Sequence, residues 1–252
     1  MSVVVAILAK NKELFLDLYL RCIFNQTYDK KKIHLYIRTN DNTDNTQEIL
    51  ARFVNSHGSK YASVYYNDDD ISEKLKTWGE HEWNAERFKI LGEIRQRSID
   101  YAKRLGAHYF TVDCDNFIIP ETLHKMYRLR DLGVISPMLR TMQHYSNFHY
   151  DVDARGYYKE HPEYFQIRYR QKIGVYTPKV VHCVYFIRNE LLGDICYFDN
   201  SNRHEYVIFS DTLRKKGIEQ YLDNTLEYGI ISFSKNQEEL DTLLKDTNFT
   251  IN

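Results

Sequence analysis

The chain has 252 residues and a formal net charge of -1, with 34 Lys and Arg against 35 Asp and Glu. This length fits one large domain, and the balanced charge gives no global attraction to nucleic acid or to an anionic membrane surface. The 10 Gly and 4 Pro are too few for a collagenous or low-complexity chain. No apolar stretch reaches the roughly 18 residues of a membrane-spanning helix, so we predict a globular protein that binds neither nucleic acid nor membrane.

The first two thirds of the chain alternate apolar β-type runs with segments whose apolar residues have helical spacing. Such repeated β-α-β units predict an α/β fold with a mainly parallel, Rossmann-like sheet and helices on both faces. Asp44, followed three residues later by Gln47, predicts an N-cap and capping box for one helix. The predicted elements are strand 3–8, helix 13–23, strand 33–37, the helix from the Asp44 cap to 53, strand 62–66, helix 87–105, strand 109–112, helix 121–132 and strand 134–136.

Beyond Pro137 the sequence becomes aromatic and polar, with weaker periodicity. The further predicted elements are strand 180–187, helix 206–216 and strand 220–222. The sequence contains no internal repeat and no linker rich in Pro, Gly or Ser. We therefore predict a single domain over residues 1–252, with its first half at 1–137 and its second half at 138–252.

Two carboxylates, Asp113 and Asp115, directly follow the predicted strand 109–112. Side chains at i and i+2 of an extended segment point to the same side, with Cα atoms roughly 6 to 7 Å apart, so both can serve one divalent ion. Oxygen ligands favour Mn²⁺ or Mg²⁺ over Zn²⁺, and such an ion suits chemistry that neutralises a departing diphosphate. We interpret the same pattern at 68–70 and 151–153 as solvated acidic loops.

Other polar residues should reach the same edge of the sheet, because the carboxyl ends of parallel strands meet there. Ala9 and Lys10 follow the first strand, and Thr39 and Asn40 follow the second. Polar loops that hold base and ribose beside a metal that holds diphosphate are typical of a nucleotide site. These residues, with Cys114 between the two aspartates, are the predicted nucleotide contacts.

The sequence contains neither a Gly-x-Gly-x-x-Gly fingerprint nor a phosphate-binding P-loop. Phosphate charge must therefore be met by the metal and by basic side chains. Arg87, Lys89 and Arg95, on or beside the long helix before the aspartates, are candidates, with an exposed helix face as the alternative. Trp78 and Trp83 can stack on a base or sugar, or pack in the core.

The four cysteines show neither metal-ligand nor disulfide spacing, so we expect free thiols. The apolar run 3–8 at the amino terminus is too short for the hydrophobic part of a secretory signal. As written, the sequence predicts a cytoplasmic location.

A series of motifs in a fixed order covers residues 3 to about 232. They are 3–11, 39–46, Trp83 with Arg87-Phe88, Arg95-Gln96, 112–117, 136–139, 145–148, 156–159, 166–168 and Val181-His182. In this order the chain resembles the amino-terminal glycosyltransferase domain of the procollagen galactosyltransferases. It is also similar, more weakly, to the glycosyltransferase domain of the multifunctional procollagen lysyl hydroxylases.

The resemblance implies a GT-A fold, a UDP-sugar donor, a Mn²⁺ ion with Mg²⁺ as the alternative, and a collagen hydroxylysine acceptor that is bare or already galactosylated. Asp113 and Asp115 would then hold the metal against the UDP diphosphate. Residues 1–137 would bind nucleotide and metal, and residues 138–252 would bind the acceptor.

The chain departs from this family at two positions. Where the family has two adjacent acids ahead of its last helix, this chain has His204-Glu205, so Glu205 alone keeps a carboxylate and is our candidate general base or acceptor ligand. The alternative is that Glu205 is an ordinary residue on the exposed face of a helix. GT-A enzymes often have a His as third metal ligand; the matching residue here is Glu227. His182 lies in an apolar run, which favours a core histidine over a ligand.

The sequence thus predicts a Mn²⁺-dependent enzyme that moves a hexose from a UDP-sugar to collagen hydroxylysine. Glucose transfer from UDP-glucose to galactosylhydroxylysine is the preferred version, and galactose transfer from UDP-galactose to hydroxylysine is the alternative. A non-catalytic module that binds a UDP-sugar or collagen is a further alternative. Retention or inversion, and a monomer or a homodimer, are left open.

Overall fold

The computed structural model describes residues 1–77, 79, 82 and 84–251, so that the predicted stacking residues Trp78 and Trp83 lie outside the described part of the chain. The strands are β1 (Val3–Ala9), β2 (Ile33–Thr39), β3 (Ser63–Asn67), β4 (His108–Val112), β5 (Asn116–Ile118), β6 (Val134–Pro137), β7 (Phe148–His149), β8 (Asp151–Val152), β9 (Tyr158–Lys159), β10 (Val175–Tyr176), β11 (Val180–Val181), β12 (Val184–Ile187), β13 (Gln220–Asp223) and β14 (Gly229–Ile231). The helices are α1 (Glu13–Phe24), α2 (Thr46–His57), α3 (Glu73–Lys76), α4 (Ala85–Arg104), α5 (Thr122–Arg128), α6 (Pro162–Arg168), α7 (Glu205–Lys215) and α8 (Gln237–Thr247). None of the helices in these ranges is both long enough and apolar enough to cross a membrane.

One eight-stranded sheet, in the order β10-β13-β6-β12-β4-β1-β2-β3, forms the centre of the molecule. The pairs β1–β2, β1–β4, β2–β3 and β6–β13 are parallel, whereas β12 is antiparallel to both β4 and β6. Strands from both predicted halves of the chain therefore enter the same sheet. The predicted α/β fold with a mainly parallel sheet flanked by helices is confirmed.

The continuous apolar run of β1 exists because both faces of the sheet are covered. Val3, Val5 and Ile7 contribute to one buried core, and Val4 and Ala6 to the other. Successive side chains of a strand point to opposite faces, so a strand between two helical layers needs an apolar residue at every position. The same logic applies to β4, which is buried along its whole length.

The predicted cap of α2 is wrong by one residue. The N-cap is Asn45, without a side-chain capping bond, and the Gln47 amide binds the Asp68 carboxylate 2.8 Å away. The Asp44 carboxylate accepts from the backbone N–H of Thr46 at 3.0 Å and from that of Glu13 at 3.0 Å. Asp44 therefore joins the starts of α1 and α2, a long-range contact that the local capping pattern does not reveal.

The predicted continuous strand 180–187 is also wrong, because the chain turns at His182 and Cys183. Cys183 has φ of +64°, which breaks the extended backbone. β11 pairs with β7 in a separate two-stranded sheet, while β12 lies between β4 and β6. Both strands are buried, so the apolar pattern continues across the break.

A short antiparallel pair of strands, β5 and β14, holds the loop that carries the two aspartates. The backbone N–H of Ser232 donates to the carbonyl oxygen of Asp115 at 2.9 Å, just after β14. Gly229 begins β14 with φ of +148°, and a Cβ there would overlap the carbonyl oxygen of Phe117 and lie 2.9 Å from the Cα of Ile118. The position of the aspartates therefore depends on a glycine more than 100 residues further along the chain.

We expect Gly229→Ala to destabilise the protein by at least about 3 kcal/mol, because the clash is with backbone atoms that cannot rotate away. Chemical denaturation measures this change. Gly106→Ala is the matched control: it also has positive φ, of +60°, but open space around its Cα. It should cost only about 1 to 2 kcal/mol, and equal losses in the two variants would contradict the steric explanation.

Candidate functional site

The loops after β1 and β2 are tied together at the carboxyl edge of the sheet. The Asn42 carboxamide oxygen accepts from the backbone N–H of Asn11 at 2.9 Å. The Asn11 oxygen in turn accepts from the N–H of Thr43 at 2.8 Å. The Thr46 hydroxyl accepts from the N–H of Lys12 at 2.7 Å. These reciprocal bonds give the edge a defined shape.

The predicted nucleotide contacts after β1 and β2 lie at this edge. Most of their side-chain polar atoms form hydrogen bonds to other protein groups. Ala9, Thr39 and Asn40 are buried. The Thr39 hydroxyl accepts from a neighbouring carboxamide at 2.6 Å, and the Asn40 carboxamide donates to Asp41 at 2.7 Å. The Lys10 ammonium donates to a backbone carbonyl of α3 at 2.7 Å, and burial lowers its pKa. These residues therefore stabilise the loops at this edge through hydrogen bonds within the protein.

Asp41 is a residue whose importance the sequence analysis missed. Its buried carboxylate accepts from the backbone N–H groups of Ile71 at 3.1 Å and Ser72 at 3.0 Å, which fixes the loop after β3. Its own N–H donates to the Asp70 carboxylate at 2.6 Å. In the sequence nothing distinguishes Asp41 from the polar residues around it, because its partners come from a loop about 30 residues away.

The two aspartates of the motif each contact a protein cation. Arg95 donates to Asp113 through Nη2 at 2.8 Å, and the Lys12 ammonium lies 2.9 Å from Oδ2 of Asp115. Both carboxylate side chains are 30% exposed, so they also reach the open edge. Burial raises the pKa of Asp113, Arg95 opposes this rise, and Asp115 adds to it. No sequence pattern marks Lys12, which lies just beyond the first polar loop.

Arg95 joins the aspartate loop to helix α7. Its Nε donates to the Glu205 carboxylate at 3.3 Å, and only 13% of the Arg95 side chain is exposed. Burial opposes the positive charge, but Asp113 and Glu205 together hold the pKa of Arg95 well above its usual value. This guanidinium binds two carboxylates of the protein, and its role as a phosphate ligand stays a prediction.

The other predicted basic residues, Arg87 and Lys89, lie in the first turns of α4, before Arg95. Arg87 donates through Nη1 to the carbonyl oxygens of Gly79 at 2.7 Å and Glu82 at 3.1 Å, so it binds the segment that precedes the helix. Lys89 is exposed. Cys114 is 1% exposed, with its sulfur 3.5 Å from a carbonyl oxygen of β1, so its side chain belongs to the core.

Glu205 is the first residue of α7, and its side chain is 8% exposed. It is therefore not a surface helix residue. A carboxylate in the first helical turn is stabilised by the helix dipole, and Arg95 adds a direct charge-assisted hydrogen bond. The site thus contains three acidic side chains, Asp113, Asp115 and Glu205, with Arg95 and Lys12 between and beside them.

Glu227, the predicted third metal ligand, is 63% exposed and lies 3.9 Å from Arg170. Among residues 1–77, 79, 82 and 84–251, no group of three His, Cys, Asp or Glu side chains is placed to hold a metal ion. The structure therefore does not gather Glu227 with the two aspartates, and its role as a ligand stays a prediction. Asp113 and Asp115 still offer hard oxygen donors suited to Mn²⁺ or Mg²⁺, provided that other ligands come from the nucleotide and water.

His182 is buried, in agreement with a core histidine. Its Nδ1 lies 2.9 Å from the sulfur of Cys183 and 3.3 Å from the hydroxyl of Tyr145. The ring contacts those of His149 and Tyr206, with centroids 5.3 and 4.8 Å away. Burial holds the pKa of His182 well below its usual value and lowers that of His149 to about 4. The cluster therefore favours neutral imidazoles.

Solved structures with the same architecture define the fold of this domain. TarS of S. aureus in complex with UDP-GlcNAc has a TM-score of 0.59 and 15% identity, over 95% of this chain and 61% of that chain. The mannosyltransferase PcManGT of Pyrobaculum calidifontis, in complex with GDP-Man and Mn²⁺, has a TM-score of 0.57 and 14% identity, over 92% of this chain and 57% of that chain. Both likenesses extend over nearly the whole chain, and they show that this domain has the GT-A glycosyltransferase fold.

Residues 1–252 match the family described as "Glycosyltransferase family 25, N-terminal domain", and the chain belongs to this family. It is 28% identical over 240 residues to "Inactive glycosyltransferase 25 family member 3" of Mus musculus, covering 92% of this chain and 40% of the relative. It is 27% identical over 258 residues to "Procollagen galactosyltransferase 2" of Homo sapiens, covering 96% of this chain and 41% of the relative. The chain thus spans about 40% of the length of these relatives, and the family resemblance is confirmed.

We expect Arg95→Met to lower the free energy of unfolding by about 3 to 5 kcal/mol, because Asp113 and Glu205 would lose their shared cation inside the protein. Guanidinium denaturation measures the loss. Lys216→Met is the control: its ion pair with Asp194, at 3.0 Å, is 41% and 44% exposed and should contribute at most about 1 kcal/mol. Adding Glu205→Gln to Arg95→Met should recover part of the loss, and an unchanged loss would contradict this account.

The histidine cluster predicts a loss of stability in acid. The folded pKa of His149 is about 4, below the ordinary value of about 6.5. The unfolded chain therefore binds the extra proton first, and the free energy of unfolding falls as the pH decreases from about 6.5 to 4. His149→Phe keeps the ring packing and should reduce the slope by up to about 1.4 kcal/mol per pH unit. Equal slopes in the two proteins, measured by denaturation at each pH, would show that His149 does not titrate in this way.

Proposed function

We propose that this domain is a metal-dependent glycosyltransferase that moves a hexose from a UDP-sugar to hydroxylysine in collagen or a collagen-like peptide. The observation that carries the proposal is the pair of partly exposed carboxylates, Asp113 and Asp115, at the carboxyl edge of a GT-A sheet in a family 25 domain. The UDP-GlcNAc bound to TarS supports a UDP-sugar donor. The GDP-Man and Mn²⁺ bound to PcManGT support a divalent ion.

The residues of the site have separable roles in this proposal. Asp113 and Asp115 would hold the divalent ion, which supplies charge neutralisation for the departing diphosphate when bound. Arg95 orients Asp113 and Glu205 with respect to each other through the bonds at 2.8 and 3.3 Å. Glu205 is the proposed general base or acceptor ligand, since it is held beside Asp113 by the same guanidinium. The loops around Thr39 and Asn40 would contact the uridine.

The donor sugar and acceptor are the finer part of the proposal. We prefer glucose transfer to galactosylhydroxylysine, whereas the name of the relative Procollagen galactosyltransferase 2 favours galactose transfer to hydroxylysine. Both reactions use a UDP-hexose and a hydroxyl acceptor on the same kind of peptide. The same metal and nucleotide residues therefore serve either one.

A direct assay tests the proposal. UDP-glucose and UDP-galactose are each offered with peptides that carry hydroxylysine or galactosylhydroxylysine, in Mn²⁺ or in EDTA, and transfer is followed by mass spectrometry. We expect transfer by one donor and acceptor pair in Mn²⁺, and a loss on the order of 100-fold or more in Asp115→Asn, because a ligand to the charge-neutralising ion is removed.

Asp151→Asn is the matched control for this assay. Asp151 belongs to another Asp-x-Asp sequence, and its carboxylate pairs at 3.0 Å with Lys159, which is 60% exposed. This variant should keep full activity. The enzymatic function is rejected if the unchanged protein shows neither transfer nor UDP-sugar hydrolysis under all of these conditions.

A non-catalytic binding module is the second candidate, and the relative named "Inactive glycosyltransferase 25 family member 3" favours it. Such a module should bind the collagen peptide with the same affinity in Mn²⁺ and in EDTA. Its affinity should also be the same in Asp115→Asn. The enzymatic function instead requires that nucleotide binding in Mn²⁺ be weaker in Asp115→Asn than in the unchanged protein.

A further inference from the structure

Lys12 occupies a place at the aspartate pair to which no role has been assigned. Its ammonium lies 2.9 Å from Oδ2 of Asp115, and the two side chains are 22% and 30% exposed. The backbone of Lys12 is fixed by its N–H bond to Thr46 and by its carbonyl oxygen, which accepts from the N–H groups of Phe15 and Leu16 at 2.9 and 3.0 Å. The start of α1 therefore aims this side chain at Asp115.

The two cations of the site differ in how firmly they are held. Arg95 is 13% exposed and binds both Asp113 and Glu205, so that moving it would leave the buried Glu205 and the partly exposed Asp113 without their shared cation. Lys12 is more exposed and has a flexible four-carbon stem that ends in a compact charge. Of these two residues, Lys12 is the one that can change partner at small cost.

The Lys12 ammonium and a divalent ion have competing requirements at Asp115. Both need carboxylate oxygens, and two cations bound to the same carboxylate repel each other. A diphosphate changes the balance because its oxygens can receive the ammonium while others bind the metal. The pair of aspartates without nucleotide is therefore a poor metal site, and it improves once a diphosphate is present.

We propose that Lys12 holds Asp115 in the nucleotide-free protein and passes to the diphosphate when nucleotide and metal bind. This inference rests on the proposed nucleotide-sugar function and deepens it, because it makes Lys12 a diphosphate ligand. It also makes the binding of the two ligands interdependent: Lys12 keeps free Mn²⁺ out of the site and helps to bring UDP into it. By linkage, UDP then raises the affinity for Mn²⁺.

The test uses Mn²⁺ and UDP separately. Binding of Mn²⁺ to the nucleotide-free chain is measured by electron paramagnetic resonance, and binding of UDP in EDTA by calorimetry. We expect Lys12→Met to bind free Mn²⁺ about tenfold more tightly than the unchanged protein, and UDP in EDTA about tenfold more weakly. A residue that served only to stabilise the fold would not raise the affinity for the metal.

Two further variants complete the test. Lys31→Met removes the same charge from an exposed residue that donates to the carbonyl oxygen of Ser59, and it should change neither affinity. Lys12→Arg keeps the charge and should retain both the weak Mn²⁺ binding and the UDP binding of the unchanged protein. Circular dichroism and thermal melting establish that each variant is folded.

The outcomes separate this inference from the proposed function. If Lys12→Met binds free Mn²⁺ within twofold of the unchanged protein, or binds UDP in EDTA equally well, the role of Lys12 is rejected even where sugar transfer is observed. If both affinities shift as expected but no sugar is transferred, Lys12 is a diphosphate ligand in a binding module, and the enzymatic function fails instead.

Discussion

The buried guanidinium of Arg95 is the interaction on which the arrangement of the site depends. It comes from α4, and it binds Asp113 at the end of β4 and Glu205 at the start of α7. These carboxylates belong to the two halves of the chain and are more than 90 residues apart in sequence. Without a shared cation, the partly exposed Asp113 and the buried Glu205 would repel each other, and Glu205 would lose hydration without a counter-ion. Arg95 therefore makes their proximity possible.

This charge balance connects the fold to the proposed chemistry. Arg95 satisfies the inner side of the acidic group, whereas Lys12 contacts its partly exposed side at Asp115. A divalent ion and a diphosphate would add a positive and a negative charge at the same edge. The ion would then balance the aspartates, and Lys12 would balance the diphosphate. The relatives of this chain include proteins named as galactosyltransferases and proteins named as inactive.

Local sequence patterns predict many of the regular elements, but they miss α6 and α8 and misplace the cap of α2 and the break at Cys183. The apolar runs of β1, β2 and β4 were recognisable because strands covered on both faces require apolar residues at successive positions. The pattern misplaces the cap of α2 because Asp44 bonds to α1, and it predicts a continuous strand 180–187 because the break at Cys183 lies between two buried strands. The pair β5–β14 joins distant segments and leaves no local pattern.

The sequence by itself determined the α/β class, the sheet edge that carries Asp113 and Asp115, and the family, because periodicity and ordered motifs are properties of the chain alone. Only the tertiary structure decided which charges meet there. Arg95, which the sequence places among the candidate phosphate ligands, contacts two carboxylates, and Lys12 contacts Asp115 across 103 positions of sequence. Electrostatic partners are selected by distance and burial, and both exist only once the strands and helices have packed.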